Sequence, residues 1–88
     1  MPKKASFQLS AHARLRMRQR GITLEQIRRA IEQPDWREPD VDDAQVTHAL
    51  KRLHRGRGWI VLRVVYNRFA RPPRVVTAFV DRRFTRKR

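Results

Sequence analysis

Three histidines and a large excess of arginine are the side chains of this sequence with usable chemistry. His12, Arg16 and Arg20 recur at i, i+4 and i+8. On a helix this spacing lines them along one face, with Arg16 in reach of both neighbours. A phosphate held by the two guanidiniums would lie beside an imidazole, a group able to act as acid or base. The same pattern also fits a solvated basic helix face carrying an incidental histidine. His48 is a second imidazole, and His54, in the basic Lys51–Arg57 stretch, is a weaker third. Two histidines flanking a phosphodiester suit RNA cleavage: one removes the proton of the 2′-hydroxyl, the other protonates the leaving oxygen. Arg or Lys would neutralise charge on the phosphorane, with Arg16, Arg20 and Arg63 holding the scissile phosphate and Thr77 or Tyr66 donating a hydrogen bond. Spacing alone does not bring His12 to His48, and either is also at home as a surface residue.

Other chemistries find little support. The chain has no Cys, which excludes disulfides and thiolate metal sites. Asp40, Asp42 and Asp43 lack a calcium-loop pattern and read as a solvated acidic turn or an internal counterweight to the arginines. No metal and no cofactor is expected. There is no Walker loop, no Gly-rich dinucleotide motif and no nucleophile elbow. Trp36, Trp59, Tyr66 and Phe69 have faces on which bases stack, although in a core this small most aromatics serve packing.

Charge sets the class of partner. The chain has 22 Lys plus Arg against 8 Asp plus Glu, a formal charge of +14 over 88 residues. Such self-repulsion opposes folding, so a function that uses it is the first expectation, and phosphate backbones are its commonest partner. Arg dominates Lys, and its planar fork grips phosphate bidentately. The charge is uneven. Residues 1–33 hold 8 basic and 2 acidic side chains, residues 34–45 hold Arg37 against five acids, and residues 46–88 hold 13 basic side chains against Asp81. Arg82, Arg83, Arg86, Lys87 and Arg88 form a terminal arm suited to touching phosphates. No apolar run approaches a membrane span and no signal peptide is evident, so a cytoplasmic protein without membrane association is expected.

The elements that must position these residues follow from pattern. Ser10 caps a first helix running to about Arg20, ended by Gly21 at the left-handed C′ position. Thr23 and Gln26 form a capping box for a second helix whose stripe is Leu24, Ile27, Ala30 and Ile31, with Pro34 beyond its end. The short link predicts a helical hairpin. Residues 59–68 alternate as a strand, Arg71-Pro72-Pro73-Arg74 is a turn, and 75–80 form a second strand. Residues 44–55 are ambiguous. Val46, Ala49, Leu50 and Leu53 favour a helix by periodicity, yet a third strand would complete a sheet that two strands leave weak.

The run Leu9-Ser10-Ala11-His12-Ala13-Arg14-Leu15-Arg16-Met17-Arg18-Gln19-Arg20-Gly21-Ile22-Thr23 resembles the opening of the DUF4258 family, whose signature is roughly H-A-x-x-R-M-x-x-R-G-I. Residues 62–67 and 75–83 look like its strands. That family is similar to the small RelE- and barnase-like ribonuclease toxins, BrnT-like proteins among them. The resemblance implies a single α+β domain over 1–88 with frayed ends at 1–6 and 84–88. In it an N-terminal helical hairpin packs on an antiparallel sheet of three to four strands, with 46–53 as a strand. It also implies metal-independent RNA cleavage, on free or ribosome-bound RNA, and an acidic antitoxin or immunity protein as partner. By position, His12 and Arg16 match the helix motif and Thr77 the last strand. The leading expectation is a toxin-like endoribonuclease using His12, Arg16, His48, Arg63, Tyr66 and Thr77, with Arg20, Lys51 and the terminal arm binding RNA. A non-catalytic RNA- or DNA-binding module is the alternative. A third reading is an interaction protein that takes an acidic partner.

Overall fold

The computed structural model describes residues 7–83. The expected frayed ends, and with them Arg86, Lys87 and Arg88, lie outside the described residues.

Both helices begin as their caps dictate. The Ser10 hydroxyl accepts from the Ala13 amide at 2.9 Å and starts α1 (Ala11–Arg20). Gly21, at φ +66°, ends that helix in the left-handed region. Thr23 and Gln26 make the reciprocal capping box of α2 (Leu24–Glu32). The strands are β1 (Gln8–Leu9), β2 (Trp36–Pro39), β3 (Val46–Arg55), β4 (Gly58–Asn67) and β5 (Arg74–Val80). They form one sheet in the order β1-β5-β4-β3-β2, antiparallel except for the parallel pair β1 and β5.

This architecture corrects the sequence reading in two respects. The sheet has five strands and is mixed, rather than three or four strands and antiparallel. β1 is two residues held to β5 by the Pro73 and Val75 carbonyls, and β2 sits in the acidic stretch between prolines; neither is long enough to alternate visibly. The helices do not pack as a hairpin on each other. Instead α1 lies against β5, and α2 against β3 and β4. Residues 46–55 are a strand, as the family resemblance implied for 46–53 and against their helical periodicity. Ten cross-strand partners on β4 outweigh local preference there.

Alternation along β4 separates the two faces. Leu62, Val64 and Tyr66, with Ala49 and Leu53 of β3 and Val75 and Ala78 of β5, meet Ala13, Met17, Ile22, Ile27 and Ala30 from the helical layer. Full burial of a side chain such as Ile27 or Leu62 contributes roughly 1.5–3 kcal/mol. The opposite, open face carries Trp36 and Glu38 of β2, His48 and Leu50 of β3, Val61, Arg63 and Val65 of β4, and Thr77 and Phe79 of β5. A bulge leaves Val76 without a partner on β4, since Val65 pairs with Thr77 and Tyr66 with Val75. The Val76 carbonyl accepts instead from the Ser10 hydroxyl, so the residue that caps α1 also anchors it to β5.

Candidate functional site

The centre of the open face is a buried arginine. Arg63 is 7% exposed, and so cationic a group survives there only with partners. Its Nε and Nη2 donate to Asp81 Oδ2 at 2.8 and 2.7 Å. Its Nη1 donates to Glu38 Oε2 at 3.1 Å and lies 2.8 Å from His48 Nδ1. Register explains the convergence: Glu38 faces His48 across β2 and β3, and Arg63 lies one row on in β4. Asp81 follows the end of β5, fixed by its amide on the Val61 carbonyl.

The network also fixes the imidazole tautomer. A guanidinium only donates, so His48 Nδ1 is the acceptor and the ring proton is on Nε2. That proton is donated to Asp40 Oδ1 at 2.7 Å. The other Asp40 oxygen accepts the amides of Asp42 and Asp43. The Asp40 carboxyl is held below the ordinary aspartate range, first by the His48 hydrogen bond and then by these amides. Asp40 is therefore a ring-orienting carboxylate as well as part of a turn.

Glu38, His48, Arg63 and Asp81 line a depression of about 500 Å³, together with Phe79, Arg82 and Arg83. The Glu38 side chain is half exposed, whereas that of Asp81 is 5% exposed. Glu38 is thus the carboxylate a ligand meets. Two carboxylates hold the one guanidinium and a third holds the imidazole, so positive charge comes from the rim, at Arg82 and Arg83.

The structure brings together two of the expected catalytic residues, His48 and Arg63, and puts Thr77 on their face. Glu38, His48, Val65 and Thr77 form one row across the sheet, with Val65 between Thr77 and the imidazole. Tyr66 is buried among the helices on the other face. His12 is exposed on α1, whose Ala13 and Met17 pack on that same helical side, so His12 and His48 do not flank a common point. Arg16 donates to Gln19, and Arg20 reaches the Ala78 carbonyl. Lys51 lies near Asp35, with 3.8 Å between nitrogen and oxygen. The His54 ring packs on Trp59, and Arg52 lies 4.9 Å from the Trp59 ring centre.

Glu38, Asp40 and Asp81 are the site residues that the sequence pattern missed. Their signal was weak: an acid two residues after Trp36 in a segment bracketed by prolines, and a lone acid in a basic C-terminal third.

The family model described as a domain of unknown function (DUF4258) matches residues 9–80. The chain belongs to the DUF4258 family. The match spans both helices and β2 to β5, and it includes every residue of the network except Asp81. No curated protein and no solved structure matches this DUF4258 chain. Among its described residues no helix is long and apolar enough to cross a membrane.

Proposed function

We propose that this DUF4258 protein is a metal-independent endoribonuclease of the toxin type, with its centre at Glu38, His48 and Arg63. One observation carries the reading. A single guanidinium nitrogen, Arg63 Nη1, holds both a half-exposed carboxylate and an imidazole of fixed tautomer at the floor of an open depression. Cleavage needs those three groups. Glu38 accepts the proton of the 2′-hydroxyl, and the 2′-oxygen attacks phosphorus. The bond from phosphorus to the 5′-oxygen breaks, and that oxygen leaves with a proton from His48. The products are a 2′,3′-cyclic phosphate and a 5′-hydroxyl.

The resting network prepares His48 for this role. An incoming phosphate replaces Nδ1 as the acceptor of Arg63 Nη1, and the released Nδ1 takes up the proton it later delivers. Asp40 keeps its hydrogen bond to Nε2 and supports the resulting imidazolium. The acid–base pair is thus Glu38 and His48 instead of His12 and His48. His12 and Arg16 belong to the basic α1 face, which contributes to holding the strand. The resemblance noted in the sequence implies this reaction class, and a +14 chain fits an acidic antitoxin or immunity protein.

The test is cleavage of a labelled RNA in EDTA by wild type, Glu38→Gln, His48→Gln and His12→Ala. The first two variants lower the rate by about 10²–10⁴-fold, and His12→Ala leaves cleavage itself in place. Undiminished cleavage by both Glu38→Gln and His48→Gln would remove the assignment. A non-catalytic RNA-binding module is the second reading. It is favoured by the engagement of both His48 nitrogens and by the two carboxylates on Arg63. RNA binding without cleavage by any of the four proteins would decide for it.

A further inference from the structure

Ion pairs among the described residues engage Arg28, Lys51 and Arg63, and give the other described Arg side chains no described carboxylate. Two of those others are nonetheless fixed in place. Arg20 Nη1 donates to the Ala78 carbonyl on β5 at 3.0 Å. Arg55 Nη2 donates to the carbonyl of Arg20, at the C-terminal end of α1, also at 3.0 Å. A main-chain carbonyl orients a guanidinium but leaves its charge uncancelled, and a guanidinium has more N–H donors than the one each uses here. Two cations have therefore been brought together by neutral partners, against their mutual repulsion. With Arg82, Phe79 and Val80 they line a second depression, of about 440 Å³.

This depression adjoins the site described above, because Phe79, Val80 and Arg82 border both. We propose that Arg20, Arg55 and Arg82 clamp a phosphodiester of the bound RNA strand, next to the linkage at Arg63. Phe79, on the rim between the two depressions, offers its face to an intervening base. The proposal rests on the RNA reading of the site but not on cleavage. It separates two tasks: an arginine already neutralised by carboxylates sits at the reacting centre, and uncancelled arginines grip the strand beside it.

The experiment measures binding alone, using a labelled 2′-O-methyl oligonucleotide that cannot be cleaved through its 2′-oxygen. Fluorescence anisotropy over a salt series compares wild type, Arg20→Gln/Arg55→Gln, and Arg29→Gln/Arg71→Gln as an exposed control of equal charge. Each phosphate contact on a single strand contributes about 0.7 to the slope of log affinity against log salt. The three arginines hold one phosphodiester, so the clamp variant loses about 0.7 from the slope and affinity at low salt with it, while the control keeps the wild-type slope. Equal losses in both double variants would overturn the clamp and leave RNA binding standing. No binding by wild type would overturn the clamp and the RNA reading together. If circular dichroism shows the double variant unfolded, Arg82→Gln serves instead. A slope lower than wild type by up to about 0.7 supports the clamp, and an unchanged slope refutes it.

Discussion

At the scale of single residues, the molecule turns on Arg63. It sits in the central strand of the sheet with Asp81, itself 5% exposed, as its closest partner. Removing one member of such a pair leaves the other charged and unsolvated, so Arg63→Ala destabilises by about 3–5 kcal/mol, measured by urea unfolding. Asp40 makes a prediction in pH. Its carboxyl titrates lower in the folded protein than unfolded, so its contribution is complete above the ordinary aspartate range and is lost as acid titrates the folded carboxyl. Asp40→Asn therefore removes part of the loss of stability below about pH 4, seen as a flatter acid limb in melting temperature against pH. At neutral pH the same substitution lowers cleavage by releasing the His48 ring. Arg63 and His48 were legible as candidates from residue type and strand position. Glu38, Asp40 and Asp81 were not, because each becomes a partner only through contacts distant in sequence.

At the scale of elements, local signals were faithful where the structure is local. Ser10, Gly21, Thr23 and Gln26 cap as their types predict. Thr23→Ala costs about 0.5–2 kcal/mol, and Gly21→Ala costs about 1–2 kcal/mol by forcing a side chain into the left-handed region. Its added methyl would meet Arg55 Nη2 only at ordinary contact distance, so the Gly21 cost is backbone strain. Chemical denaturation of the two variants checks both. Local signals failed where pairing decides. The stripe Val46, Ala49, Leu50 and Leu53 reads as one helical face, yet in β3 it divides between the faces, with Ala49 and Leu53 toward the helices and Leu50 opposite Arg63. The register of β2 on β3 puts Glu38 opposite His48 and so builds the site. Nothing within Trp36–Pro39 specifies that register. The helix pair was misjudged for a related reason: a short link permits a hairpin, but Ser10 on Val76 and Arg20 on Ala78 tie α1 to β5 instead.

At the scale of the whole molecule, the sheet divides labour. One face holds the helices and the main core; the other holds the network, with arginines beyond its rim. The acidic stretch at 34–45, which dilutes the overall charge, supplies Glu38 and Asp40 to the open face, so its position matters more than its sum. On the polyanion reading proposed above, binding of RNA by this chain weakens linearly in log salt because phosphate contacts release counterions, and a flat salt response would contradict that reading. Composition raised the expectation of that partner class, whereas the proposed reacting centre emerges only from the assembled sheet. The most direct measurement is end analysis of the products from a single-stranded RNA incubated with wild type in EDTA, beside the same oligonucleotide carrying 2′-deoxy sugars. The account predicts 2′,3′-cyclic phosphate and 5′-hydroxyl ends from the RNA and an intact deoxy strand. Cleavage of both strands, or no cleavage of an RNA that the protein binds, would contradict it.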